Sequence, residues 1–406
     1  MSPLLPVLVA GALALSGGDA PIHWGERALE LSALPPELPQ AAGAALAAWH
    51  PWAAAHQYRL DLDGAGRLLI VTRASNDRAP AFLERARKVV ERFDQELPAP
   101  AVRLEAKGPE LALPKPAPPK PAAGDQPLPE DPEDPEGGHP WTLAPPRPAQ
   151  ETTAAPVVTS WGAQGQPLDS RTMVLFVLFD EEDFQSLLKE LARGFPFLEV
   201  WTREAHVQQG FVLGEPLTAA YLENPAGVEE WNPENELVHR TARLCLERRF
   251  GMLPNWFVQG YAWHQEIAEL GGVFVFPWRD EFVFATEHTG WDDLVRNRFQ
   301  KTRPKPTDFL SWRRGKYSDP EAKASWAMCE YLLAKERAKL PTILDQLRVF
   351  TEEHGRIEET TATRATWRRD TEYEIPLEDQ QKLLVQALGA DYLERAARFF
   401  RKDLGH

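Results

Sequence analysis

From residue 58 onward the chain alternates between short apolar runs and amphipathic stretches. Tyr58–Asp63 and Arg67–Arg73 predict two strands about a turn at Gly64–Gly66, the second carrying the continuous run Leu68-Leu69-Ile70-Val71. In Pro80–Glu96, the residues Phe82, Ala86, Val89, Val90 and Phe93 recur at helical spacing on one face. Met173–Phe179 is apolar at every position, which suits a strand buried on both faces, and a helix is expected from Glu181 to Arg193. Gln208–Leu213 and Leu217–Leu222 read as two more strands, separated by Gly214-Glu215-Pro216. Beyond Trp231 the period is helical almost to the end, with one hairpin expected over Gly272–Ala285. Strands first and helices later predict an α+β fold.

Composition breaks this order in two places. Sixteen of the 37 prolines fall between Pro98 and Pro148, mixed first with Lys and then with Asp and Glu. Such a stretch cannot bury enough apolar surface to offset its ordering entropy, so an extended linker or surface loop is expected. At the other break, the apolar stretch Leu4–Leu15 precedes small residues up to Ala20. That pattern predicts a secretory signal and a location outside the cytoplasm, the alternatives being a short hydrophobic helix or a misplaced start codon. The stretch is too short for a comfortable membrane span. The expected organisation is therefore a leader over 1–20, a folded segment over 21–106, a Pro-rich linker over 107–168 and the remaining fold over 169–406.

A formal net charge of −15 argues against a phosphate-binding surface, which excludes nucleic acid as a main partner. Two cysteines, Cys245 and Cys329, fall on apolar helical stripes; they either pair or serve as buried thiols. Trp256, Trp263 and Trp326, among fourteen tryptophans, sit where core packing explains them. The basic run from Arg298 to Lys316 is expected to be a solvated loop.

The informative constellation is Asn235-Glu236-Leu237-Val238-His239, followed by Leu253-Pro254-Asn255-Trp256-Phe257-Val258-Gln259-Gly260-Tyr261-Ala262-Trp263. On a helix over 234–249, positions 235 and 239 share a face. The pair of segments resembles the gluzincins, and more closely the peptidase MA-like secreted proteins, in which His-Glu-x-x-His precedes Pro-x-Trp-x-x-Glu-Gly-x-Ala. Pro254, Trp256, Gly260 and Ala262 match the second segment, and Gln259 follows His239 at the 20-residue spacing of the third zinc ligand. The resemblance covers about residues 55–100 and 168–403. It implies a zincin-like domain, a small N-terminal sheet followed by a mainly helical half.

The resemblance also implies that two of the three zinc ligands have been replaced, by Asn235 and Gln259, while the general-base position Glu236 and the ligand position His239 remain. Side-chain amides are poor partners for Zn²⁺, so no zinc cofactor and no metal-activated water are expected. Asn235, His239 and Gln259 then form a hydrogen-bond network between two helices, with Trp263 filling the space one turn past Gln259. His264 should point away, and Glu266, two turns along at roughly 10 Å, should lie out of reach. His206 and His288 remain possible contributors. Tyr317 matches the oxyanion-stabilising tyrosine of some gluzincins, though packing at a helix entrance explains it equally. Three readings stay open: an inactive metallopeptidase-like protein that binds a peptide or protein partner in the old cleft and at a sheet edge; a metallohydrolase with a non-standard site built on Glu236 and His239; and a helical structural domain with accidental similarity.

Overall fold

The computed structural model describes residues 19–106, 168–228, 230–279, 283–360, 365–370 and 372–405. Nearly all of the expected leader, and the Pro-rich segment over 107–167, lie outside the described residues. Seven strands make one mixed sheet: β1 Ile22–Trp24, β2 Arg27–Leu29, β3 Tyr58–Leu62, β4 Leu68–Arg73, β5 Met173–Leu178, β6 Gly210–Gly214 and β7 Leu217–Leu222. Their spatial order is β2-β1-β3-β4-β5-β7-β6. β1/β3, β4/β5 and β5/β7 run parallel, whereas β1/β2, β3/β4 and β6/β7 are antiparallel.

The continuous apolar runs arise because both faces of this sheet are covered. With side chains alternating along each strand, Leu68, Ile70, Leu175, Val177 and Tyr221 face α2 (Ala79–Glu96) and α5 (Pro233–Phe250). Leu69, Val71, Phe176, Leu178 and Leu222 face the opposite layer, formed by α1 (Gln40–Ala55) and α3 (Glu181–Gly194). A short helix, α4 (Glu199–Glu204), follows α3. The second half adds α6 (Asn255–Leu270), α7 (Trp291–Phe299), α8 (Asp319–Lys335), α9 (Leu340–His354), a small hairpin of β8 (Arg356–Thr360) and β9 (Ala365–Arg369), α10 (Leu377–Leu388) and α11 (Tyr392–Lys402). These helices extend the core layered on α5. Among the described residues, no helix is long and apolar enough to cross a membrane.

The expected order of a sheet followed by a mainly helical half is met in a mixed α/β fold, with the seven strands of the sheet within residues 22–222 and helices dominating from Pro233 onward. β4 pairs in parallel with β5 across the Pro-rich interval, so the strands on both sides of it belong to one sheet. The hairpin expected over 272–285 is corrected: residues 272–279 form neither strand nor helix, and 280–282 lie outside the described residues. The amides of Phe274 and Val275 are taken by the Glu266 carboxyl, and that of Val273 by the carbonyl of His288, so a strand ladder does not form there. The basic run is largely an exposed, irregular stretch as expected, pinned at the surface by ion pairs of Arg298 with Asp308 and Arg303 with Glu394.

Both helices of the constellation have clear end signals. The Asn232 side chain accepts hydrogen bonds from the amides of Glu234 and Asn235 at the start of α5, with Pro233 in the first turn. Gly251, at φ 64°, ends α5, and left-handed Gly271 ends α6.

Candidate functional site

α5 and α6 cross so that the three ligand-position residues converge. His239 Nε2 lies 2.9 Å from Gln259 Oε1, and His239 Nδ1 lies 2.7 Å from Glu266 Oε1. Asn235 Nδ2 donates to Glu266 Oε2 at 2.6 Å and to the carbonyl of Gly272 at 2.8 Å. Glu266 Oε2 also accepts from the amides of Phe274 (2.9 Å) and Val275 (3.3 Å). None of the four side chains exceeds 1% exposure, so the network is shielded from bulk solvent.

Glu266 is the hub of this network, which corrects the expectation that it is out of reach. The 10 Å estimate measures rise along one axis only. α5 crosses that axis, residues 235 and 239 themselves span a turn, and a helical side chain leans toward its own N-terminus, here back toward Gln259. A buried carboxylic acid in the otherwise apolar and amide-rich stretch from Trp256 to Ile267 is the sequence signal for it.

Burial pushes the Glu266 carboxyl well above the usual carboxylate range. The amide of Phe274 and the side chain of Asn235 pull it back, while Glu236 adds to the rise. Burial, then Arg243 and Arg240, push the His239 imidazole well down, opposed by Gln259. Both directions favour an uncharged pair, with protonated Glu266 donating to His239 Nδ1 and His239 Nε2–H donating to Gln259. The remaining amide atoms, Asn235 Oδ1 and Gln259 Nε2, are buried without a protein partner.

These residues do not fit zinc. A tetrahedral zinc site takes imidazole, thiolate or carboxylate donors. Here the single imidazole has both nitrogens committed, the carboxyl is shared among four donors or acceptors, and the other two positions are amides. Among the described residues, no group of three or more His, Cys, Asp or Glu side chains is arranged to hold a metal.

Glu236, the general-base position, is buried and in ion contact with Arg240 at 2.6 Å, although the pair is not aligned as a hydrogen bond. Burial pushes its carboxyl up, against the pull of Arg240 and Arg243. The Arg240 guanidinium in turn packs on Gly210 of the edge strand β6, where a Cβ would stand 2.7 Å from Nη2. Trp263 fills the space beside the network as expected: its ring meets His239 edge-on at 6.3 Å, stacks on Trp312 at 5.4 Å, and its Nε1 donates to the carbonyl of Val275.

Other candidates lie elsewhere. His264 points away from the network and is clamped between Glu330 (2.7 Å) and Glu96 (3.0 Å). His288 bonds the carbonyl of Val273 and Glu230, and so braces the loop over Glu266 without touching His239. His206 is held at the carbonyl of Arg203 in the layer beyond the sheet. The Tyr317 hydroxyl donates to Asp319 at 2.7 Å, its ring lies under Arg279 at 5.3 Å, and burial with Asp319 pushes the phenol up. No hydrogen bond links Tyr317 to the network, so its expected oxyanion role is not supported by position. Cys245 and Cys329 are both buried free thiols.

No protein-family model matches the chain, and no curated protein is significantly similar to it.

Proposed function

We propose that this chain is a catalytically inactive, metallopeptidase-like protein of the cell envelope or exterior that binds a peptide or protein partner. The observation that carries the reading is the posture of His239. Zinc-bound histidines hold one ring nitrogen on a carboxyl or carbonyl group and aim the other at the metal. His239 keeps that posture, with Glu266 at Nδ1, but its Nε2 meets the amide of Gln259. The first ligand position, Asn235, is likewise an amide turned onto Glu266. On this reading the helices that would present a metal remain, with two of the donors exchanged for amides that hydrogen-bond to His239 and Glu266. A partner role is supported by β6, the terminal strand of the sheet, which lies beside α5 and has the geometry to accept an extended segment by edge pairing.

Elemental analysis of protein purified without added metal tests this reading, alongside the Asn235→His/Gln259→Glu double variant. The expected result is no zinc in the natural chain and zinc in the variant, whose donor set would be two imidazoles and a carboxylate. One zinc per natural chain would overturn the reading in favour of a metallohydrolase using Glu236 and His239.

A further inference from the structure

On the opposite face of the sheet, α1 and α3 bring together a serine, a histidine and an aspartate in hydrogen-bond series. Ser186 Oγ lies 2.8 Å from His56 Nε2, and His56 Nδ1 lies 3.2 Å from Asp183 Oδ1. Asp183 is buried and fixed from two further sides: Tyr58 Oη donates to its Oδ2 at 2.6 Å and Arg73 Nη2 at 3.2 Å. His56 stacks on Trp52 at 4.6 Å, and Trp52 Nε1 donates to Ser186 Oγ at 3.2 Å. Asp183 and Ser186 are three residues apart on α3 and so share a face, while His56 caps the C-terminal end of α1 opposite them. Ser186 and His56 are part-exposed, whereas Asp183 is buried.

We propose that Ser186 is a nucleophile activated by His56, with Asp183 as the positioning residue, and that the site transfers acyl groups from simple esters to water. An aspartate that holds Nδ1–H leaves Nε2 free to take the serine proton, which is the division of labour that makes a hydroxyl reactive. The bonds already made by Tyr58 and Arg73 leave Oδ1 of Asp183 for the imidazole. In the first step Ser186 Oγ forms a bond to the ester carbonyl carbon and its proton passes to His56 Nε2. The bond to the alcohol oxygen breaks as that proton moves to the leaving group, giving acyl-Ser186 and alcohol. Water, losing a proton to His56, then attacks the acyl carbon; the carboxylic acid leaves and the proton returns to Ser186.

The test uses the full chain, p-nitrophenyl butyrate as substrate and diisopropyl fluorophosphate as covalent probe. In the probe reaction Oγ bonds to phosphorus and fluoride leaves. The expected result is a single phosphoryl adduct mapped to Ser186, absent in Ser186→Ala, and formed on the order of a hundredfold more slowly in His56→Gln. Asp183→Asn should lower kcat for the butyrate ester with little change in KM, and Asp183→Glu should restore part of it. Melting temperatures show whether each variant is folded. Should His56→Gln unfold, the comparison becomes native against urea-unfolded wild type, with adduct expected only in the former. No adduct on Ser186 in the folded chain, equal labelling of native and unfolded protein, or wild-type labelling in folded His56→Gln would each overturn the proposal and leave these residues as a polar clasp between α1 and α3. None of these outcomes bears on zinc at the α5–α6 site.

Discussion

Glu266 Oε1 stands 2.7 Å from His239 Nδ1, and neither side chain has any solvent exposure. A carboxylate and an imidazolium so deeply buried would each lose their hydration, and the pair is better accommodated with its proton on the carboxyl. Oε2 meanwhile accepts from Asn235 and from two backbone amides. One side chain therefore ties α6 to α5 and to the loop after α6.

Because the carboxyl acts as an acid toward His239 and as an acceptor on its other oxygen, Glu266→Gln reproduces both roles. Its stability should fall within about 1 kcal/mol of wild type near pH 5, whereas Glu266→Ala, which strands four partners, should cost at least about 3 kcal/mol. The pH dependence has a definite sign. A carboxyl whose folded pKa is raised above the ordinary 4.5 contributes most below 4.5 and loses that contribution as pH rises. Urea unfolding from pH 5 to 8 should therefore show Glu266→Gln gaining on wild type as pH increases. A difference that is flat or opposite in slope would mean that Glu266 is ionised in the fold.

Gly260, one of the positions that match the metallopeptidase segment, has a packing role. A Cβ there would stand 2.7 Å from Cys329 Sγ and 2.7 Å from the carbonyl oxygen of Ser325, because α8 crosses α6 at this point. Gly→Ala inside a helix ordinarily gains up to about 1 kcal/mol. Gly260→Ala should instead destabilise by about 1–3 kcal/mol, as overpacking does. Adding Cys329→Ala should recover only part of the loss, since the clash with the Ser325 backbone persists; thermal melts of the three variants decide it.

The parts of this structure that the sequence made legible are those with strong periodicity. β5 shows as six consecutive apolar residues, and α5 and α6 show through their caps and the 235–239–259 spacing. β1 and β2 are three residues each and leave no periodic trace, and α1 is so rich in alanine that its buried face is not marked by contrast. Nothing in the order of strands signals that β4 and β5 pair in parallel across the Pro-rich interval. Val273–Phe276 looks like a strand because it is apolar, yet the amides of Phe274 and Val275 are satisfied by the Glu266 side chain, a long-range fact. The place of Glu266 is hidden for the same reason: a distance along one helix says little about a second helix that crosses it. The Ser186–His56–Asp183 series joins residues 127 and 130 positions apart, and no local pattern reveals it.

Cys245 and Cys329 test the packing of the helical half. Burial pushes the Cys245 thiol up to about 12 and the Cys329 thiol well above its ordinary value, so neither is a thiolate near neutral pH. The folded protein should be inert to a thiol-specific disulfide reagent, and unfolding in guanidinium should release two reactive thiols per chain. Fewer than two would indicate that the cysteines are paired.

His264 gives the clearest pH prediction away from the network. Burial alone would lower its pKa, but Glu330 and Glu96, one on each ring nitrogen, outweigh it and raise the imidazole to about 10. This histidine joins α2, α6 and α8 as a cation between two carboxylates. A folded pKa above the unfolded 6.5 means that its contribution is fully present below about pH 6.5 and is lost as pH rises toward 10. His264→Gln keeps the hydrogen-bonding reach but not the charge, and it leaves two carboxylates facing one another. It should cost a few kcal/mol at pH 6, with the gap to wild type narrowing steadily between pH 7 and 10. Paired denaturant titrations across that range check it; a gap constant with pH would show that His264 is neutral in the fold and serves the three helices by packing alone.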